Sequence, residues 1–163
     1  MNTAAKGGEA SQESLDAAVD SMTRLNKAAR DTARRHTVHA ATDVTGFSLA
    51  GHSQECAAAS DVTIEIDINS LPVIDGAREL AMFGFIPEGR YTNEDYLFDK
   101  VRFEQGIPQD LIDIAFDPQT SGGLLLFMPE EDAKAFVREM DRPCCKIIGR
   151  VIPKADRDVI FRS

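Results

Sequence analysis

Val62 to Ile68 reads VTIEIDI. Branched apolar residues at 62, 64, 66 and 68 alternate with Thr63, Glu65 and Asp67, the period-two pattern of a strand with one buried face. Upstream, Gly46 to Ser60 reads as a helix with Leu49, Ala50, Cys56 and Ala57 on its inner side, preceded by a short strand at Val38 to Ala41. Leu15, Ala18, Val19, Met22, Leu25 and Ala29 recur at steps of three and four, predicting one helix from a Ser11 cap to about Arg34. Downstream, Pro72 opens a helix that Gly84 closes, and Pro108 to Phe116 is a short helix. A buried strand at Gly123 to Met128, a helix at Pro129 to Met140 and strands at Lys146 to Ile152 and Val159 to Phe161 complete the chain. Phe85 to Gln105 lacks a clean period and reads as a functional loop or a surface excursion. Residues 1–12 are small and polar, a linker or frayed end before one domain over 13–163. Strands and helices mix without strict alternation, so the expected class is α+β, a mixed β-sheet of about four to six strands packed with helices.

Composition limits the partners. The 163 residues suit one core and not two. Lys and Arg total 18 against 27 Asp and Glu, a net charge of −9, which repels nucleic-acid phosphates and anionic membranes. Nucleotide binding stays possible where a metal ion supplies positive charge. The longest purely apolar run, Leu124 to Met128, is far too short to span a bilayer, and the N-terminus has no apolar signal core. Three cysteines, two of them adjacent at Cys144 and Cys145, predict a cytoplasmic chain without disulfides and without a zinc site.

Two segments carry candidate chemistry. The first is ATDVTGFSLAGH, Ala41 to His52. Asp43 falls where a strand ends, and Gly46 stands where a helix starts. Free N–H groups at a helix start favour anions, and a carboxylate beside such a turn suits Mg2+. The plainer alternative is that Asp43 or Thr45 caps the helix. The second segment is DPQTSGGLLLF, Asp117 to Phe127. Its turn runs through Thr120, Ser121, Gly122 and Gly123 into a strand. Paired glycines admit close approach of a ligand or of backbone, and a tight turn feeding a strand is the alternative. No Gly-Lys-Ser/Thr follows, so this is not a P-loop. His36 and His39 read as surface or capping histidines rather than metal ligands, and His52 as a packing or hydrogen-bonding group. Cys56 reads as core, and Cys144 and Cys145 lack a nearby histidine to activate a thiolate. Glu130, Glu131 and Asp132 fall in a first helical turn, where they complement the helix dipole.

Taken together these segments resemble selenophosphate synthetase (selenide, water dikinase), in its C-terminal half only. The resemblance runs through LNKAA at Leu25–Ala29, VHAATDVTGF at Val38–Phe47, LPVIDGARELA at Leu71–Ala81, DPQTSGGLL at Asp117–Leu125 and IIGRV at Ile147–Val151. Relatives such as aminoimidazole ribonucleotide synthetase, thiamin monophosphate kinase and a hydrogenase maturation factor usually lack the pairing of TDVTGF with DPQTSGG. The resemblance implies the conversion of selenide, ATP and water to selenophosphate, AMP and phosphate. It implies Mg2+ and ATP as cofactors, shared with an N-terminal ATP-binding half, and Asp43 as the metal ligand on this side. Thr45, Gly46, Thr120, Ser121, Gly122 and Gly123 are implied to line the nucleotide cleft. The family's nucleophilic Cys or selenocysteine and its lysine belong to the N-terminal half. No catalytic residue is therefore expected in this chain, and the chain alone is expected to be inactive. ATP and selenide are the implied substrates. The family dimerises mainly through its N-terminal half, so the complete protein is expected to be a homodimer and this chain a monomer or weak dimer. One departure stands out: the family usually reads TGFGL, and here Ser48 replaces the second glycine. Two alternatives remain, a stand-alone nucleotide- or partner-binding domain of the same fold and a part of a sister enzyme.

Overall fold

A computed structural model describes all 163 residues. Its helices are α1 (Asn2–Gly7), α2 (Gln12–Thr23), α3 (Lys27–Ala33), α4 (Ser48–Ser60), α5 (Ala77–Met82), α6 (Glu88–Leu97), α7 (Gln109–Phe116) and α8 (Glu130–Met140). Its strands are β1 (Ala40–Asp43), β2 (Val62–Asp67), β3 (Val101–Phe103), β4 (Leu124–Phe127), β5 (Gly149–Pro153) and β6 (Val159–Arg162). The class is α+β, as expected. The strands fall into two sheets, however, and not one: a mixed four-stranded sheet in the order β3-β6-β2-β5, and an antiparallel pair of β1 with β4.

Strand β2 is interior, antiparallel to β5 and parallel to β6. Ile64 and Ile66 turn to the core, where they join Val159, Phe161 and Val101 from the neighbouring strands. Helices α4 and α7 cover this face with Ala50, Ala57, Leu111 and Phe116. Phe103 stacks flat on Phe161 with ring centroids 4.5 Å apart. The expectation of a single buried face needs correction, because Thr63 and Glu65 on the opposite face are also buried. The Thr63 hydroxyl donates to the Arg157 carbonyl at 2.6 Å and accepts from the Ala155 N–H at 2.8 Å. Glu65 accepts from Arg150 Nε and Arg162 Nε, each at 2.7 Å.

Burial opposes the charge of Glu65, but the Arg150 and Arg162 guanidiniums outweigh it and hold the carboxyl below the usual range. A depressed carboxyl contributes stability above the unfolded-state pKa of about 4.3 and loses it as pH falls through the folded value. The stability gap between the parent and Glu65→Gln should therefore shrink as pH falls below that range. Denaturant unfolding of both proteins across that range checks this, and a gap that does not change with pH would contradict it.

Several local expectations shift. Residues 2–7 form a helix rather than a frayed linker, with Ala4 fully buried. The long helix from Ser11 breaks at Arg24–Asn26 into α2 and α3, and Ser11 caps α2 as expected. The first strand sits two residues later than expected. Helix α5 starts only after Gly76, at φ 82°, well past Pro72. The irregular stretch is no loop: it holds α6 and β3. The inward face of α6 is Arg90, Asn93 and Leu97, at helical spacing but two-thirds polar, so hydrophobic periodicity misses it. Arg90 is ion-paired with Asp113 at 2.8 Å and lies over the Phe116 ring. Strand β4 is half-exposed along its length and not buried, since it belongs to a ribbon of only two strands.

Candidate functional site

The two motif segments zip together. Strands β1 and β4 pair from Ala40 with Phe127 to Asp43 with Leu124. The ladder continues beyond the strands: Val44 N–H donates to the Gly123 carbonyl at 3.0 Å, Gly122 N–H to the Val44 carbonyl at 3.0 Å, and Gln119 N–H to the Thr45 carbonyl at 3.1 Å. Gly122 makes this possible, because a Cβ there would sit 2.3 Å from the Val44 oxygen. Two asparagines clamp the loops. Asn26, at the break between α2 and α3, donates to the Gly122 carbonyl at 3.0 Å. Asn93 of α6 donates to the carbonyls of Gly46 at 3.1 Å and Phe116 at 3.0 Å. Sequence periodicity marks neither residue, because each acts through a single side-chain amide outside any apolar stripe.

Asp43 ends β1 with its side chain exposed, and no hydrogen bond or ion pair engages its carboxylate. The capping alternative fails: Phe47 occupies the cap position of α4, and no side chain caps that helix. Thr45 is half-buried, its hydroxyl 3.0 Å from His52 Nε2, while His52 Nδ1 lies 2.9 Å from Glu55. Gly46, Thr120, Ser121 and Gly123 are exposed, and Gly122 is half-buried. Thr120 Oγ1 accepts from the Asn2 amide at 3.2 Å. At Gly46 and Gly123 an added Cβ would meet nothing within 4 Å, and neither residue has a positive φ. Packing and backbone conformation therefore do not account for these two glycines, and the space beside them is open.

Asp117 closes α7 and accepts from the Gln119 side chain at 2.8 Å, which holds the turn. Burial pushes its carboxyl above the usual range, against the pull of the chain's amino group and the Gln119 amide. One concavity of about 1590 Å³ is lined by residues of both sheets and of α8, among them Ile66, Leu125 and Phe136. Thr120 to Gly123 form part of its rim, whereas Asp43, Thr45 and Gly46 lie outside it. Nowhere do three His, Cys, Asp or Glu side chains cluster to hold a metal ion. Mg2+ takes one or two carboxylates and completes its shell with water and phosphate oxygens. An unpaired, exposed Asp43 fits one ligand of such a shared site and does not make a site by itself. The other nominated groups take structural places: His36 faces Asp132 and Glu139, and all three cysteines are free.

Ser48 opens α4 in the left-handed region at φ 70°, fully buried. A Cβ in that conformation costs about 1–2 kcal/mol. Its hydroxyl returns only a long 3.4 Å bond from the Gly51 N–H. Ser48→Gly is expected to raise stability by roughly 0.5–1 kcal/mol, after the entropy cost of glycine. A thermal scan checks it, and a lower melting temperature than the parent's would contradict it.

The family of AIR synthase related proteins, C-terminal domain, matches residues 2–162. A selenide, water dikinase of Clostridium botulinum (strain Eklund 17B / Type B) is 45% identical over 99% of this chain and 48% of its own length. One of Caldanaerobacter subterraneus subsp. tengcongensis is also 45% identical, over 99% of this chain and 48% of its own length. Selenide, water dikinase 2 of Peptoclostridium acidaminophilum is 37% identical over 98% and 47%. The chain thus spans about half the length of the curated relatives it matches. No helix is long and apolar enough to cross a membrane. The resemblance carried by TDVTGF and DPQTSGG agrees with these names, and the chain belongs to the AIR synthase related family as its C-terminal domain.

Proposed function

We propose that this chain forms one wall of the Mg-ATP cleft of a selenide, water dikinase, which converts selenide, ATP and water to selenophosphate, AMP and phosphate. The observation that carries the reading is the unpartnered Asp43 carboxylate beside Gly46 and Gly123, two glycines that the fold itself does not require. Asp43 supplies a hard oxygen ligand, and the Thr45–Gly46 and Thr120–Gly123 segments let a nucleotide approach the backbone closely. Mg2+ when bound neutralises phosphate charge, which a protein surface of net charge −9 cannot do. The other wall, with the nucleophile and further carboxylates, belongs to the ATP-binding half of the complete protein, which we expect to be a homodimer.

A cleft with one wall does not turn over, because phosphoryl transfer depends on positioning and charge stabilisation from both sides. The 163-residue chain should therefore form no AMP from ATP and selenide above the uncatalysed background, whereas the complete protein should. Phosphorus NMR of the two reactions checks this. AMP formation by the chain alone would overturn the shared cleft, and a complete protein that consumes ATP only without selenide would overturn the substrate.

A further inference from the structure

Strand register gives the β1–β4 ribbon two unlike faces. Directly paired residues share a face, and neighbours along a strand alternate. Ala40 pairs with Phe127, and Phe127 packs against the core, so that face turns inward. The opposite face holds Ala41 with Leu126 and Asp43 with Leu124. Ala41 and Asp43 are exposed, and the two leucines are half-exposed. The outward face of an antiparallel pair is normally polar, yet Asp43 is the one polar residue here.

A hollow of about 310 Å³ lies over this face. Val38, Ala41, Leu124 and Leu126 supply its apolar part, and Arg30 and Arg34 its basic part, with no acidic residue in the lining. Arg30 is paired with Asp31, whereas no ion pair or side-chain hydrogen bond engages Arg34. The surface therefore fits a partner that brings an apolar side chain with a carboxylate beside it. The Clostridium botulinum relative is about twice as long as this chain, which covers 48% of it, so a body of similar size accompanies this domain there. In the shared cleft Asp43 needs that body close, because the ion takes its other protein ligands from it. A second copy of this chain fits less well, since a two-fold contact through this face would bring two basic rims together.

We propose that the outward face of the β1–β4 ribbon seats the ATP-binding half of the complete protein, which lays an apolar side chain over Ala41, Leu124 and Leu126 and a carboxylate against Arg34. This rests on the shared-cleft reading given above, and it adds the contact that sets how far Asp43 stands from the other wall.

Ala41→Cys puts a thiol on this face. Its maleimide labelling, followed by peptide mass spectrometry to separate it from the three native cysteines, compares the 163-residue chain with the complete protein, both without nucleotide. Labelling is expected to be about tenfold slower in the complete protein, each rate being normalised to the denatured form. Two further tests need the complete protein alone. A benzophenone carried on the same cysteine should cross-link within one subunit, so the product keeps the monomer mass on a denaturing gel. Arg34→Glu should speed the labelling about threefold to fivefold, as the loss of a rim ion pair would. Equal labelling of chain and complete protein would show an open face and overturn the inference. So would a cross-link at dimer mass, which would mean a second subunit, or protection only after an ATP analogue is added, which would mean a nucleotide site. Unchanged labelling in Arg34→Glu would overturn the carboxylate contact. Mn2+ affinity with a non-hydrolysable ATP analogue separates this inference from the reading beneath it. Asp43→Asn that binds Mn2+ like the parent removes the shared cleft, whereas weaker binding together with a freely labelled Ala41→Cys leaves the cleft and removes the seat.

Discussion

Asp43→Asn in the complete protein is expected to lower kcat/KM for Mg-ATP by about 10²–10³-fold and to leave the unfolding midpoint unchanged. The amide keeps the size of the side chain and removes its charge. Nothing in the fold depends on that charge, since the carboxylate is exposed and makes no hydrogen bond or ion pair. Exposed substitutions of this kind usually stay within about 0.5 kcal/mol. The activity loss should ease partly as Mg2+ is raised, because a weakened ligand set is refilled by mass action. Steady-state kinetics at saturating selenide, paired with a thermal melt, separate the two effects. Unchanged kinetics would remove Asp43 from the ion's ligands, and a large fall in melting temperature would show a structural role instead.

Gly122→Ala should give the largest stability loss among the site residues. Its new methyl would lie 2.3 Å from the Val44 oxygen and 3.3 Å from the Val44 Cβ, far inside normal contact. The neighbours are the Val44 carbonyl and Val44 Cβ, fixed atoms rather than the far end of a flexible side chain, so nothing can swing away. Separation would strain the Gly122–Val44 and Val44–Gly123 hydrogen bonds, both 3.0 Å, and the clamp from Asn26 at 3.0 Å. Overpacking together with weakened hydrogen bonds amounts to about 3 kcal/mol, a fall in melting temperature of roughly 6–12 °C. Gly123→Ala is the internal control. Its Cβ would meet nothing within 4 Å, so its melting temperature should stay near the parent's. In the complete protein that same methyl would intrude on the proposed nucleotide cleft and raise KM for ATP. Equal melting temperatures for Gly122→Ala and the parent would mean that the two motif loops are not held as described.

Much of the fold was legible wherever one face of an element is apolar. The alternation at Val62–Ile68, the Pro108–Phe116 helix and the Pro129–Met140 helix all follow that rule, and each lies where it was expected. The rule fails where a polar group faces inward. Arg90 and Asn93 hide α6, since an ion pair to Asp113 and two carbonyl partners do the work that leucines do elsewhere. Glu65 hides the second buried face of β2 in the same way. The helix break at Arg24–Asn26 was not visible either, because the apolar stripe runs straight across it; there Asn26 reaches a residue 96 positions away, Gly122, which no local pattern marks. At the site, the two glycine-bearing motifs were conspicuous as types and spacing, and the β1–β4 pairing brings them side by side. What no single sequence conveys is which of two neighbouring glycines is packed. Gly122 presses on Val44 while Gly123 opens to solvent, and only the strand register separates them.

What the Asp43 carboxylate touches when the complete protein holds its nucleotide decides whether it is a ligand of the ion. A crystal structure of that protein with Mg2+ and a non-hydrolysable ATP analogue measures it directly. The expected result is an Asp43 carboxylate oxygen about 2.0–2.1 Å from Mg2+, with the Thr120–Gly123 turn flanking the phosphates. An Asp43 side chain turned to bulk solvent, with every cation in the cleft ligated by other residues, would contradict it.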